Sequence, residues 1–190
     1  AADPDGDSRP EPRGAGDGST FTRPTRESAN LVAHLARDRA LSTVHAQRSP
    51  YSRGGDAALV DGVRGSIDWR GGDWQGYEGD DLDATIDLGR PTSIAEVRVG
   101  FLQNTGSKVF FPSTVQVSTS NDGTTFDALA PIGHDVPLDR PAAERRTFRT
   151  PVGREARYVR VRAVNVRRCP PAHARAGEPA WLFVDEIVVR

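Results

Sequence analysis

The sequence predicts an all-β protein, an antiparallel β-sandwich or jelly roll. Three observations carry that expectation: apolar residues recur with period two, glycine, proline and Asx turns separate the runs, and no amphipathic stretch exceeds about two helical turns. Leu82, Ala84, Ile86 and Leu88 alternate with Asp81, Asp83, Thr85 and Asp87, which makes a strand with one apolar and one wet face. Val97, Val99 and Phe101 repeat the pattern. Val115, Val117 and Thr119 lead into Asn121-Asp122-Gly123 and then Thr124-Thr125-Phe126. Asp-Gly between two such runs predicts a hairpin, because glycine accepts positive φ without steric cost. Val159, Val161 and Ala163 alternate with Arg160 and Arg162, and Trp181 to Val189 forms a mostly apolar closing run, expected as a strand near the sandwich centre. Residues 30–41 have some helical spacing, which Ser42-Thr43-Val44 turns toward strand.

Composition narrows the function. The chain has 190 residues, with Lys+Arg 25 against Asp+Glu 26 and a formal net charge of −1. That balance argues against nucleic-acid binding, which favours a basic excess on one face. It offers no polybasic signal for an acidic membrane, and no apolar run is long enough for a membrane-spanning helix. Cys169 is the only cysteine, so the core must hold without an intrachain disulfide. A domain of about 150 residues can do so, burying roughly 70% of its unfolded surface. The chain contains no methionine, which reads as a processed form or an excised piece and leaves secretion open. Residues 1–28 are rich in Asp, Pro, Gly, Arg and Ser, with Phe21 as the one large apolar side chain. They read as a disordered linker or tail, with residues 29–190 as the folded domain. Asp3, Asp5 and Asp7 look like the start of a calcium loop, but Gly14 stands where the bidentate glutamate belongs.

No hydrolase, redox or nucleotide-binding motif is present, and no nucleophile–base pair can be named. His34, His45, His134 and His173 are scattered and expected at the surface. Asp80, Asp81, Asp83 and Asp87 read as a solvated strand face rather than paired catalytic carboxylates. Two constellations stand apart. In the run from Ala57 to Ser66, Asp61-Gly62 is followed four residues later by a hydroxyl, and an irregular loop of this kind crowds the oxygens that calcium needs; alone, it also reads as an ordinary turn. In the closing run, Asp185-Glu186-Ile187 places carboxylates where strand logic buries them, and a buried carboxylate needs a partner or a cation.

Taken in order, Leu59-Val60-Asp61-Gly62 through Trp69, Ile86-Asp87-Leu88-Gly89, Ser120 through Phe126, and Asp185-Glu186-Ile187 resemble the discoidin superfamily. This is the coagulation factor V/VIII C-type domain, which includes the family 32 carbohydrate-binding modules. The run from Ala58 to Ser66, Trp74 to Tyr77 with Asp80-Asp81-Leu82, Gly100 to Gln103, Phe110 to Pro112 and Trp181 to Ile187 are most similar to the C-terminal module of bacterial family 20 glycoside hydrolases, the β-N-acetylhexosaminidases. The catalytic barrel of those enzymes needs about 250 residues and is not in this chain. The resemblance implies an eight-stranded jelly-roll sandwich and a non-catalytic, secreted or cell-surface module that binds glycan. The alternative it leaves open is a structural domain packing against an adjoining glycoside hydrolase catalytic domain.

The resemblance also implies sites. A structural calcium ion (Ca2+) is expected on Asp61, Val63, Ser66 and Glu186, with Val63 contributing its carbonyl; the Val63–Asp68 loop is longer here than in the family pattern. Sugar contact is expected through end loops that carry Trp181, Gln103, Asn104 and Trp69. An aromatic ring there stacks on a pyranose while polar side chains hold its hydroxyls. Many members carry a sugar-binding arginine near positions 103 and 104, and none stands there. Trp74 is expected in the core, Trp181 either on sugar or in the core, and Phe110-Phe111 as braces of a strand, although they are also the only candidates for a membrane-binding loop tip.

Overall fold

The computed structural model describes residues 31–52, 54–141 and 143–190. The expected linker, with its Asp3, Asp5 and Asp7, lies outside the described residues. Seven strands are formed: β1 (Ala40–Thr43), β2 (Gln75–Glu78), β3 (Leu82–Gln103), β4 (Thr114–Ser120), β5 (Asp127–Ala128), β6 (Glu144–Val164) and β7 (Trp181–Val189). Short 3-10 turns occupy Gly55–Leu59, Trp69–Gly71 and Thr105–Ser107. All pairings between strands are antiparallel, in the order β2-β7-β3-β6-β4-β5, with β1 on the free flank of β3.

Two long strands make this one sheet into two layers. β3 and β6 pair from Leu82↔Ala163 to Gln103↔Glu144, with register breaks between Asp87 and Thr92 and between Ile94 and Glu96. Leu88 to Pro91 bulge out at the first break, where Gly89 has φ +86° and donates its N–H to Asp87 Oδ1 at 2.7 Å. Bulges bend strands, and here they fold the ribbon over. One half of the ribbon pairs with β1 and β4, the other with β7, which in turn carries β2. Ile86, Val117 and Val159 of the first layer share one core with Val99, Phe101 and Val184 of the second. Each large side chain so buried contributes roughly 1.5–3 kcal/mol.

Among the described residues seven strands form where the resemblance implies eight, and the runs at Leu82–Leu88 and Val97–Phe101 are two halves of a single bent strand. The hairpin after β4 is also looser than expected. Asp122 Oδ1 accepts from the N–H groups of Thr124 and Thr125, each at 2.8 Å, so these residues close a turn and the short return strand starts at Asp127. Asp81 and Asp83 are not on a solvated face. Each is 8% exposed, Asp83 under the guanidinium groups of Arg160 and Arg162 and Asp81 under Arg167.

Candidate functional site

A bulge in β7 builds the first candidate site. Val99 pairs with Ile187 and Phe101 with Val184, so Asp185 and Glu186 together face Gly100. The extra residue resets the alternation: Leu182 and Val184 point into the core before it, Ile187 and Val189 after it. Both carboxylates leave the apolar interior and reach the loop that begins at Asp61. Asp185 accepts the Gly65 N–H on Oδ2 at 3.1 Å and the Glu186 N–H on Oδ1 at 2.6 Å. Gly100 makes room for it, since a Cβ there would overlap the carboxylate. Gly65 is fixed on every side: its carbonyl accepts from Arg145, and a Cβ would enter the Trp74 ring.

Glu186 is 1% exposed and differently served. Its Oε1 lies 2.8 Å from His34 Nε2, while its Oε2 has no hydrogen-bond partner. The Gly62 backbone N–H and the Asp61 carboxylate lie beside it. Burial, with Asp61 and Asp185 adding repulsion, pushes the Glu186 carboxyl up to about 9. Burial and the neighbouring Arg37 pull His34 down to about 4. His34 is therefore a neutral, fully covered imidazole and not the surface histidine expected. Its Nδ1 faces the Val189 N–H at 3.5 Å, which leaves Nε2 to donate to Glu186.

A buried Glu186 with one oxygen unmatched beside the half-buried Asp61 carboxylate fits a divalent cation, because the ion satisfies the oxygen and removes the repulsion. Among the described residues, no three His, Cys, Asp or Glu side chains are grouped to hold a metal, so backbone carbonyls would have to complete a calcium shell. Of the expected ligands, Asp61 and Glu186 come together. Val63 donates its N–H to Asp61 Oδ1 at 2.8 Å and bridges Leu31. Ser66 does not join them as placed. Its hydroxyl donates to the Asp68 carbonyl and its own carbonyl accepts from Trp74 Nε1, both at 2.9 Å. The longer loop turns it outward.

The second candidate site is a patch of rings over the outer side of β7. Phe183 and Trp74 are buried there, while Tyr51, Trp69 and Trp181 are partly exposed. The rings meet edge on: Tyr51–Trp181 centroids are 5.2 Å apart, Tyr51–Trp69 5.6 Å and Trp181–Phe183 5.8 Å. Such T-shaped contacts hold each ring at a set angle. Arg70 lies over Trp69, 4.8 Å from its centroid. Asn165 anchors the loop that delivers Trp181, its amide donating to the carbonyls of Tyr77, Asp80 and Ala180. Trp74 is in the core as expected, and so are Phe110 and Phe111, at 1% and 0% exposed, which removes them as a membrane-binding tip.

Gln103 must be corrected. It is fully buried, its amide donating to the Pro137 carbonyl at 3.1 Å and accepting from the Phe111 N–H at 3.3 Å, so it braces loops and cannot meet a sugar. Asn104, next in the chain, is partly exposed and pairs with Val109, which bridges Trp181. Sequence reasoning missed Tyr51 and Arg70, which lie in loops without periodicity. It also missed His34 and the role of Asp185; the signal for Asp185 was Gly100, a glycine inside an otherwise apolar strand.

A bent two-layer antiparallel sandwich with ring-bearing end loops is the architecture of the discoidin class of β-sandwich domains. The F5/8 type C domain model matches residues 42–181, and the chain belongs to that family. No curated protein sequence matches it. Solved structures share the fold. The module CpGH89CBM32-5 from Clostridium perfringens, in complex with GalNAc-β-1,3-galactose, is 15% identical with a TM-score of 0.54, covering 83% of this chain and 99% of that one. The lectin binding domain of Lectinolysin complexed with Lewis b, in a histidine-mutant form, is 16% identical at a TM-score of 0.52, covering 83% and 95%. Chitosan-binding module 1 of a chitosanase/glucanase from Paenibacillus sp. IK-5 is 18% identical at 0.52, covering 84% and 99%.

Proposed function

We propose that the chain is a non-catalytic carbohydrate-binding module, working outside the cell, that stacks a pyranose on the patch formed by Tyr51, Trp69 and Trp181. The observation that carries this is the patch itself: three partly exposed rings, with Tyr51 held edge-to-face against both tryptophans, at one end of the sandwich. Partly exposed aromatic faces offer apolar area while their polar tips stay wet. Arg70 and Asn104 flank the rings and would supply the hydrogen bonds that give orientation. Arg70 would take the place of the arginine missing near positions 103 and 104. Asp61 and Glu186 would hold a calcium ion with loop carbonyls. The ion's role would be structural, tying the Asp61 loop to β7, and the patch needs only the loop it steadies. Sugar titration followed by tryptophan fluorescence tests the reading. A saturable change with galactose, glucose or their N-acetylated forms, lost in Trp181→Ala, is the expected result.

A second reading rests on Ile67, 56% exposed on the same loop. In it, the patch packs against an adjoining glycoside hydrolase domain of the same protein. A flat titration with every sugar, with the fold intact, would favour that reading.

A further inference from the structure

Beyond the ring patch, the same end of the sandwich carries a cleft of about 500 Å³, lined by Thr105, Leu138, Asp139, Pro170 and His173 together with the exposed Ala172 and Ala174. Its volume lies within the range of small-molecule sites. Only the Asn104–Lys108 turn separates it from the patch. On one side of that turn the Trp181 N–H donates to the Lys108 carbonyl, and on the other His173 Nε2 donates to the Thr105 carbonyl, both at 2.8 Å. A ligand seated on the rings therefore has a next binding position within reach.

The cleft's chemistry selects what can enter. Its walls are aliphatic: Leu138, Pro170, Ala172 and Ala174. Both nitrogens of His173 are engaged, Nε2 on Thr105 and Nδ1 by the Arg175 N–H at 3.0 Å. The Thr105 hydroxyl donates to the Arg140 carbonyl at 3.0 Å. Among the described lining residues, Asp139 is left as the one side chain with a polar group and no partner, and it is an acceptor. A hydroxyl pressed against the aliphatic walls would lose water without compensation. A carboxylated sugar would meet Asp139 as a like charge. An ammonium group would pair with the exposed Asp139 but leave the aliphatic walls without an apolar partner. A methyl group beside an N–H donor satisfies both features at once.

We propose that this cleft is a second subsite that receives the acetamido group of an N-acetylated hexosamine, its methyl on Leu138 and Pro170 and its N–H on the Asp139 carboxylate; this rests on the glycan-binding reading above. The test is calorimetric titration of the whole chain with N-acetylglucosamine, glucosamine, glucose and fucose, with saturation-transfer NMR of the acetyl methyl. N-acetylglucosamine should bind at least about ten-fold tighter than the other three, with its methyl the most saturated group. Asp139→Ala should remove most of that preference. Ala172→Phe, which fills the cleft from an exposed position, should remove it while leaving glucose binding unchanged. Equal affinities for all four sugars, tighter glucosamine or fucose, or a loss with Ala172→Phe shared equally by glucose would overturn the subsite and leave the module a glycan binder. Absence of binding by every sugar would overturn the subsite and the glycan-binding reading together.

Discussion

Asp185 and Glu186 are neighbours on β7 and equally inaccessible to water, yet their surroundings differ. Around Asp185, backbone N–H groups meet both oxygens, so the carboxylate is held by the chain itself. Around Glu186, one oxygen has a neutral histidine, the other makes no full hydrogen bond although the Gly62 N–H lies near, and the Asp61 carboxylate lies alongside. Burial lifts Asp185 only to about 6 and Glu186 to about 9. The same loop is thus fastened to the same strand twice, once by a finished contact and once by a contact that a cation would complete. Full burial does not distinguish a structural acid from a candidate metal ligand, but the count of its satisfied oxygens does.

The largest expected effect breaks the finished half. Gly100→Ala should lower stability by about 3 kcal/mol, because the new methyl must displace Asp185 or its strand. The denaturant midpoint would show it, and an unchanged midpoint would mean that the bulge is soft. Next is the unfinished half. With calcium at 100 times its dissociation constant, the native protein should gain about 2.7 kcal/mol over chelator, and Glu186→Gln should lose that gain. In chelator the variant should be as stable as the native chain or more so, since it removes a costly buried acid. If chelator and Glu186→Gln both leave the melting temperature untouched, the cation is not there.

A smaller effect concerns the rings. Trp69→Ala and Trp181→Ala should each weaken sugar binding by about 1 kcal/mol, the scale of an aromatic contact. Asp185→Asn should weaken it less, acting only through the loop. Equal effects from all three would show that the loop, and not the rings, governs affinity.

The smallest effect contrasts these dry acids with a wet one. The Arg157 guanidinium beside Asp87 holds that carboxyl down at about 2. A depressed carboxyl contributes stability above its unfolded value, and the contribution is lost as pH falls from about 4 through about 2. Asp87→Asn should therefore flatten the fall in denaturant midpoint between pH 5 and 2. A variant with the native acid slope would place the acid sensitivity elsewhere, with Asp122 the next to replace, since turn N–H groups hold it below the usual carboxylate range.

Period two made most strands legible: the alternating runs at Leu82, Val97, Val115 and Val159 are all strand, and the closing run is β7 to the residue. Continuity was not legible. Gly89-Arg90-Pro91 reads locally as a turn that ends a strand, and only pairing with β6 carries the backbone past it. The carboxylate site was half legible, because a charged pair inside an apolar run signals a cost that something must offset. Its histidine partner was not, since His34 reaches Glu186 across 152 positions. The ring patch was legible in Trp69 and Trp181, which a resemblance could align, but not in Tyr51, whose loop has no periodicity to read.

The bent ribbon of β3 and β6 also decides how the molecule comes apart. Every layer includes half of each long strand, so neither layer can open while the other stays whole. Protection of backbone amides against hydrogen exchange should then be shared: Val99 in one layer and Val161 in the other would open with the same free energy, as members of one cooperative unit. Local opening would be left to the loops at the ends, where the rings and the cleft lie.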